Sequence, residues 1–263
     1  MNTVGSLAEF LNQLAPLSLS EDWDNTGLLV GDLDQNVSNV MTCLTVTEDV
    51  VSEAVHAGVD MIVSHHPVLF RAAKKITTQS AEGRMLLKLI AGGIAVYSPH
   101  TAFDSSQLGI NQRLADALDL QQIQCLRAST LDEHPGSGRW GCLVEGTSLS
   151  FFLGQIKKAV AADYVEYCGD LASDVNRVAV ACGSAAEFLA DAIAHGCDTF
   201  VTGEARFHSV LEAQSSNVNL ILMGHYESER PAVEWLASEI QEQVSGVQVF
   251  ASEADTNPLR IHH

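Results

Sequence analysis

The chain has 263 residues, 46% hydrophobic and 18% charged, a composition typical of a folded globular protein with a sizeable core. Its formal net charge of -19, with only 14 Lys and Arg residues, argues against a nucleic-acid partner, because phosphate binding needs clustered basic side chains. No stretch approaches the roughly 18 consecutive apolar residues of a transmembrane helix, and the N-terminus lacks the features of a signal peptide.

Six cysteines are spread along the chain, and no two of them are closer than fourteen positions. This spacing excludes a CxxC zinc motif. Without a secretion signal, the even number does not indicate disulfides. We therefore predict reduced, mostly buried thiols and a cytoplasmic location.

Apolar runs and helix-like stretches alternate along the chain. The first helix is predicted from apolar residues at helical spacing, Val4, Leu7, Leu11 and Leu14. The predicted strands are Val40–Val46, Met61–Ser64, Ala95–Ser98, Arg177–Ala181, Thr199–Thr202 and Leu220–Met223. The other predicted helices are Glu48–Ala57, Ala81–Ala91, Gly109–Leu118, Leu149–Val160, Ala185–His195, Phe207–Gln214 and Pro231–Gln243. This order predicts βαβ units, and therefore an α/β fold of mostly parallel sheets flanked by helices.

One segment rich in Pro, Gly and Ser, Ala128–Gly141, interrupts the alternation, which restarts after it. We therefore predict a loop and a domain junction there. Residues 1–127 with 221–263 would form the main α/β domain, and residues 128–220 the second. EAVHAGVDMIVSHH and DAIAHGCDTFVTGE share an order of helix, turn, strand and polar tip. Either an ancestral duplication or the common pattern of βα units explains this echo, and we favour the second.

Histidines and carboxylates follow three of the predicted strands: His65 with His66, His100 with Asp104, and His225 with Glu229. The carboxyl ends of strands are where open α/β sheets build their binding sites. A lone histidine is most often an ordinary core or surface residue. Three such clusters in one chain, however, favour a metal site.

The spacing within the clusters bears on how their residues would bind ions. Successive side chains of an extended backbone point to opposite faces, so we expect His65 and His66 to serve two neighbouring ions. His225 and Glu229 would share one face of a helix that begins near His225. This spacing suits a metal site, and it also suits a hydrogen bond on a helix surface.

The predicted ligands are nitrogen and oxygen atoms without a cysteine motif, which suits Zn, Mn, Fe, Co or Ni. Carboxylates can bridge two ions about 3.5–4 Å apart, the arrangement of two-metal hydrolases. Asp104 and Glu229 are the candidates to bridge. Water activated by the ions would then be the nucleophile.

The chain resembles the GTP cyclohydrolase 1 type 2 homologue family, also known as NGG-interacting-factor-like proteins. Five motifs carry the resemblance: WDNTGLLVGD (23–32), IVSHHPVLF (62–70), YSPHTAFD (97–104), VTGEARFH (201–208) and MGHYESE (223–229). They follow the family's order and span most of the chain. The histidine pair and GHYESE are highly specific. The resemblance implies two α/β domains, a dinuclear metal centre in the cleft between them, and a ring-shaped homohexamer.

Carried onto this sequence, the resemblance implies ligands for two divalent transition-metal ions: His65, His66, Asp104, His225 and Glu229. The clusters above indicate the same side chains and add His100. We expect His100 to orient a ligand or to face the substrate. Glu204 and His208 follow another predicted strand and are candidate acid/base groups. An ordinary surface acid and a helix imidazole are an equally good explanation of these two.

Two positions depart from the family's usual pattern. The chain has Thr45 where the family often has Asp, and Ala102 where it commonly has Asn. Neither residue is a predicted metal ligand. Both bear on what binds beside the metals.

The family name implies cyclohydrolase chemistry, in which water attacks the guanine imidazole ring and formate is lost. The sequence has no GxxxxGK[ST] phosphate loop. A triphosphate would instead need basic residues that follow the metal motifs, or these are ordinary solvated charges: Arg71, Lys74, Lys75 and Arg206. We predict a metal-dependent hydrolase with a small-molecule, nucleotide-like substrate. The alternatives are a non-enzymatic metal-binding, delivery or regulatory adaptor protein, and a structural protein whose metals hold two domains together.

Overall fold

The computed structural model describes residues 1–128 and 136–262. The chain forms two compact units, Met1–Phe103 with Ala232–His263 and Asp104–Pro231. The strands are β1 Gly27–Val30, β2 Asn39–Cys43, β3 Met61–Ser64, β4 Ala95–Ser98, β5 Gln121–Arg127, β6 Ser137–Ser148, β7 Glu166–Cys168, β8 Asp174–Ala181, β9 Thr199–Thr202, β10 Asn219–Leu222 and β11 Gln248–Ala251. The helices are α1 Val4–Leu14, α2 Glu48–His56, α3 Ala81–Gly92, α4 His100–Ser105, α5 Ile110–Ala117, α6 Leu149–Ala159, α7 Leu189–Ala194, α8 Phe207–Ser215 and α9 His225–Gln243.

The sheet of the first unit has the strand order β1-β4-β3-β2-β11. Its strands are parallel except β1, which pairs antiparallel with β4 at the edge. Met41, Ile62 and Val96 from this sheet pack in one buried cluster with Val51 and Leu89 from α2 and α3. All residues of β3 and β4 are buried, which explains why each sequence is apolar up to its final serine. Because β3 and β4 are parallel neighbours, the residues that follow them emerge at the same edge of the sheet.

The sheet of the second unit has the strand order β5-β6-β8-β9-β10-β7. The central strands β8, β9 and β10 are parallel, whereas β5, β6 and β7 pair antiparallel at the two sides. Phe200 and Leu220 from the sheet pack in a buried cluster with Phe188, Leu189 and Ala213. The carboxyl ends of β8, β9 and β10 therefore lie side by side.

Capping side chains fix where several helices begin. Thr47, Ser80 and Ser148 each accept a hydrogen bond from the backbone N–H three residues further on, at the starts of α2, α3 and α6. Removing such a cap costs about 1 kcal/mol. Gly93 ends α3 in the left-handed conformation, with φ of 63°, and returns the chain to β4.

The predicted α/β class, with helix-flanked sheets, is confirmed. Each predicted strand and helix has a counterpart, and the bounds of β3, β4 and β9 are those predicted. The predicted helix Pro231–Gln243 is only the later part of α9, which begins at His225 and contains Pro231. Proline removes one backbone donor, but the helix continues through it to Gln243.

The predicted loop Ala128–Gly141 falls partly on residues 129–135, which lie outside the described residues. Its last part was wrongly predicted, because β6 begins at Ser137. The glycine that suggested a turn instead allows close approach of two strands: a Cβ on Gly141 would lie 2.8 Å from the carbonyl oxygen of Gln121 in β5. A glycine within a strand can mark such an approach rather than a turn.

The compact units divide the chain at other residues than the sequence-based domains. β5 was assigned to the first domain, but it pairs with β6 and belongs to the second unit. Residues 221–231 also belong to the second unit, since β10 pairs with β9. In both places the pairing of strands, which the local sequence does not reveal, sets the division.

Within residues 1–128 and 136–262, no helix is long and apolar enough to cross a membrane. All six cysteines are present as thiols, as predicted, but only half of them are fully buried. The buried cysteines are Cys43, Cys182 and Cys197, and the half-buried ones are Cys125, Cys142 and Cys168.

Candidate metal centre

In the first unit, His65 and His66 lie directly after β3, where hydrogen bonds to the end of β2 hold their backbone. Their N–H groups donate to the carbonyl oxygens of Cys43, at 2.9 Å, and Leu44, at 2.8 Å. The hydroxyl of Ser98 in β4 donates to the carbonyl oxygen of His65 at 2.6 Å. Three neighbouring strands thus fix the position of the histidine pair.

His100 begins α4 in a backbone conformation that is unusual for its residue type. Its φ is 31°, and such a left-handed conformation costs on the order of 1 kcal/mol in a residue other than glycine. Its ring Nδ1 lies 2.8 and 2.9 Å from the two carboxylate oxygens of Asp24. The backbone N–H of Thr101 also donates to Asp24, at 3.2 Å.

Asp24 is present as a carboxylate. Burial would raise its pKa, but hydrogen bonds from His100 and Thr101, together with the charge of His100, hold the pKa below its ordinary value. Because a carboxylate only accepts, the Nδ1–H of His100 donates to it. When His100 is neutral, this hydrogen bond therefore places its lone pair on Nε2.

The three histidines of the first unit form a compact group. The ring centroids of His65 and His66 are 5.0 Å apart, and the ring of His100 lies 5.2 and 5.7 Å from them. One ring nitrogen from each residue lies within 4.8 Å of the other two. Three imidazoles at this separation could hold a metal ion.

The orientation expected for the histidine pair is not observed. An extended strand would point His65 and His66 to opposite faces, but their rings lie 5.0 Å apart. The reason is that β3 ends at Ser64, so the pair lies in the bend after the strand. The alternation of side chains across a strand therefore does not apply to it.

His66 has an outer hydrogen-bond partner that the sequence analysis did not identify. The hydroxyl oxygen of Thr45 lies 2.7 Å from the Nδ1 of His66. Thr45 follows the end of β2, one strand away from the histidine pair. A partner at one ring nitrogen fixes which nitrogen faces a metal. Thr45, at a position that departs from the family's usual pattern, therefore orients a predicted ligand.

In the second unit, His225 lies between two carboxylates. Its Nε2 is 3.2 Å from a carboxylate oxygen of Glu229, one helical turn further along α9. Its Nδ1 is 3.2 Å from a carboxylate oxygen of Glu204, in the loop after β9. Glu229 is 3% exposed, whereas Glu204 is largely exposed. The expectation that a helix begins near His225 is confirmed.

The carboxylates determine the protonation of His225. The hydrogen bond to Glu229 is the largest influence and raises the pKa of His225, whereas burial lowers it. Glu204 adds to the increase, and the pKa of His225 is about 9. The imidazole can offer its lone pair to a metal ion only after it has lost this proton, so metal binding would release protons.

Two glycines let the backbone approach these side chains closely. A Cβ on Gly183, directly after the end of β8, would lie 2.4 Å from a carboxylate oxygen of Glu229. A Cβ on Gly203 would lie 3.0 Å from the Cα of His225. The hydroxyl of Ser228 accepts a hydrogen bond from the N–H of Gly183 at 2.9 Å and donates to the carbonyl of His225 at 2.7 Å.

Asp104 has a cysteine as its hydrogen-bond partner. The thiol of Cys182 donates to a carboxylate oxygen of Asp104 at 3.2 Å. Burial raises the pKa of Cys182 well above its ordinary value, and the charges of Asp104 and Glu229 raise it further. Asn111 accepts from the N–H of Cys182 at 2.8 Å and donates to the carbonyl of Asp104 at 3.1 Å. The cysteine is thus a protonated donor that orients the carboxylate.

His208, predicted as an acid/base group, has an exposed side chain. It lies near the start of α8, and its ring lies beside that of Phe207 with centroids 6.0 Å apart. The outer partners Asp24, Thr45 and Cys182 were missed, although Asp24 lies within the WDNTGLLVGD motif. Cys182 follows a strand, as the predicted ligands do, and that position is the signal that could have identified it.

Comparison with known proteins gives a consistent result over nearly the whole chain. A model of the Duf34/NIF3 (NGG1p interacting factor 3) family matches residues 2–258. A Clostridium perfringens protein named GTP cyclohydrolase 1 type 2 homolog is 31% identical over 257 residues, covering 97% of this chain and 98% of its own. The protein NIF3 homolog of Schizosaccharomyces pombe is 32% identical over 274 residues, covering 98% of each chain.

Solved structures show the same fold. A Bacillus cereus protein related to NIF3 has a TM-score of 0.90 at 22% identity, covering 100% of this chain and 99% of its own. A Staphylococcus aureus hypothetical protein has a TM-score of 0.88 at 26% identity, covering 99% of each chain. The likeness at 22% identity establishes the fold alone, whereas the sequence relatives establish common descent.

Proposed function

Because the chain belongs to the Duf34/NIF3 family, we propose that it is a metal-dependent hydrolase with a dinuclear centre. The observation that carries the proposal is the clustering of two proposed ligands, His65 and His66, with His100 beside them, since one ring nitrogen of each lies within 4.8 Å of the other two. Imidazole nitrogens this close together are donors suited to a divalent transition-metal ion.

Five side chains are the proposed ligands of two divalent transition-metal ions: His65, His66, Asp104, His225 and Glu229. The donor set fits this assignment, since nitrogen and carboxylate ligands suit Zn, Mn, Fe, Co and Ni. Asp104 and Glu229 would supply the carboxylate ligands. Five ligands shared by two ions leave coordination positions open, which favours catalysis over a closed structural site.

The ions would supply a Lewis acid that lowers the pKa of water toward about 7. His100 is proposed to act as a general base toward water, because its Nδ1–H donates to Asp24 and the Nε2 lone pair of the neutral ring can accept a proton. Asp24 would then stabilise the imidazolium, as an acidic partner does for a histidine base in hydrolases. This role uses an Asp24–His100 pair that is already formed, at 2.8 Å.

Glu204 and Thr45 are proposed to position ligands. Glu204 accepts from Nδ1 of His225 at 3.2 Å, which directs Nε2 toward the site of Glu229. Thr45 likewise contacts the Nδ1 of His66, at 2.7 Å, which leaves the Nε2 of His66 to face the metal. The acid/base roles predicted for Glu204 and His208 stay predictions.

Three finer assignments complete the proposal. A nucleotide-like small-molecule substrate is supported by the name of the relatives, GTP cyclohydrolase 1 type 2 homolog. A ring-shaped homohexamer is supported by the family resemblance, and light scattering would then give six times the chain mass of 28.2 kDa. A cytoplasmic location is supported by six free thiols.

Hydrolysis by metal-loaded protein tests the proposal. Protein reconstituted with Zn²⁺, Mn²⁺ or Fe²⁺ is incubated with GTP, then with other nucleotides, while formate and phosphate release are measured. We expect turnover that is lost in His65→Ala and His100→Ala. The control His56→Ala, which removes an exposed histidine of α2, should retain it.

A different result would favour the non-enzymatic alternative. Protein that binds two ions, turns over no nucleotide and passes its metal to an apo-acceptor would be a delivery protein. That outcome would contradict the hydrolase.

A further inference from the structure

Two exposed aromatic side chains adjoin His100 in the first unit. Trp23 is 62% exposed and Phe70 is 55% exposed. Their ring centroids are 6.0 Å apart, and the ring of His100 lies 6.1 Å from Trp23 and 6.4 Å from Phe70. Single exposed apolar residues are common. That general tendency does not explain why two exposed aromatic rings contact each other beside a candidate catalytic histidine.

The two rings, here called the aromatic rim, are held in place by their chain neighbours. Asp24, next to Trp23, is bound to His100 at 2.8 Å. The side-chain amide of Asn25 donates to the carbonyl oxygen of Leu69, next to Phe70, at 2.6 Å. The first bond ties the loop of Trp23 to His100, and the second joins that loop to the loop of Phe70. The rim is therefore preorganised, which reduces the entropic cost of binding.

The geometry of the rim leaves surface for a planar ligand. The rings meet at interplanar angles of 61°, 79° and 84°, so they contact one another edge to face. Such contacts leave aromatic surface accessible on Trp23 and Phe70, in agreement with their exposure. Heteroaromatic rings stack on surfaces of this kind, and they do so largely independently of which base is bound.

A local concentration of positive charge follows the rim. Arg71, Lys74 and Lys75 come directly after Phe70 and are exposed. They are three of only 14 basic residues in a chain of net charge -19. Basic side chains bind phosphate through charge-assisted hydrogen bonds. Aromatic surface followed closely in sequence by exposed basic side chains suits a ligand with a planar ring at one end and a phosphate at the other.

We propose that the aromatic rim binds the heteroaromatic ring of a phosphorylated ligand, with the phosphate directed to Arg71, Lys74 and Lys75. The ligand class is thus a nucleotide or a similar ring phosphate. The proposal deepens the proposed function, on which it rests for the identity of this ligand as a substrate. Binding to the rim itself does not require metal.

Binding of GMP to chelator-treated full-length protein tests the proposal without turnover. Trp23 reports directly, because it is 62% exposed whereas Trp140 and Trp235 are half-buried. We expect saturable quenching of tryptophan fluorescence by GMP. Ribose 5-phosphate, which lacks the ring, should bind at least about tenfold more weakly. Guanosine, which lacks the phosphate, should also bind more weakly.

Variants locate the binding site. Phe70→Leu keeps Trp23 as the reporter and should weaken GMP binding about tenfold, and calorimetry should show the same for Trp23→Leu. The matched control is Phe151→Leu, which changes a phenylalanine of the second unit that is 63% exposed. It should bind GMP like the parent.

Several results would overturn the proposal. They are equal binding of GMP and ribose 5-phosphate, parent-like binding in both rim variants, and a Trp23 that is shielded from acrylamide and does not respond to GMP. The last would make the rim an interface between chains. If Phe70→Leu hydrolyses GTP with an unchanged KM, the rim is not a binding site, although the protein is a hydrolase. If the parent binds GMP at the rim but hydrolyses no nucleotide, the rim is a binding site and the hydrolase proposal fails.

Discussion

Thr45→Val is expected to weaken metal binding by His66. The hydroxyl of Thr45 lies 2.7 Å from Nδ1 of His66, and valine replaces it with a methyl group of similar size. The hydrogen bond is lost while the β-branched shape is kept. The ring of His66 can then rotate, and Nε2 is no longer directed by an outer partner.

The size of the effect follows from the kind of hydrogen bond. Loss of an outer partner costs about 10–100-fold in metal affinity. Thr45 is neutral, and a neutral hydrogen bond contributes about 1 kcal/mol, a factor of about five. We therefore expect a loss of about five- to tenfold. Thr45→Asp should bind metal more tightly than the parent, because a carboxylate is the stronger acceptor.

The assay is competition for Zn²⁺ or Co²⁺ between the protein and a chromophoric chelator. Thr45→Ser keeps the hydroxyl and should bind like the parent. Thr42→Val is the matched control, since it removes a buried hydroxyl of β2 that donates to the carbonyl of Val233 at 3.1 Å. An affinity of Thr45→Val within twofold of the parent, or an equal loss in Thr42→Val, would refute the reasoning.

Three further substitutions have definite expected outcomes. Gly183→Ala should abolish metal binding by Glu229, because its Cβ would lie 2.4 Å from the carboxylate, and metal analysis by mass spectrometry would check this. Arg139→Met should lower the free energy of unfolding by about 3 kcal/mol or more in urea titrations, because Arg139 is 2% exposed and donates to four backbone carbonyls. Asp24→Asn should reduce stability at pH 7. Since the pKa of Asp24 in the folded protein lies below its ordinary value of 3.8, its carboxylate stabilises the fold above that pH and loses this effect as pH falls. The difference in unfolding free energy between parent and Asp24→Asn should therefore shrink below pH 3.8, and a constant difference would contradict the assignment.

The central strands could be predicted because buried strands have mostly apolar sequences. β3 and β4 are buried at every residue, and each is apolar up to its final serine. β5 and β7 could not, since most of their residues are exposed or half-buried and their sequences resemble loops. β6 begins among glycines that indicated a turn. Pairing with neighbouring strands, rather than local preference, makes these segments extended.

In the candidate site, too, some residues could be predicted from the sequence and others could not. The predicted ligands stand out because imidazoles and carboxylates directly follow apolar runs. Their outer partners could not be predicted, because each contact depends on folding: Asp24 lies 76 positions from His100, and Cys182 lies 78 from Asp104. Thr45 was noted only as a departure from the family's pattern, and its 2.7 Å contact gives that departure a physical meaning.

The most direct test of the dinuclear centre is the number of metal ions per chain in untagged protein purified without chelator. Inductively coupled plasma mass spectrometry would compare the parent with His65→Ala, His225→Ala, the double variant and the control His56→Ala. We expect two transition-metal ions in the parent and the control, fewer in each single variant and fewest in the double variant. A parent that remains folded, contains no metal and cannot be reconstituted with Zn²⁺, Mn²⁺ or Fe²⁺ would contradict the account.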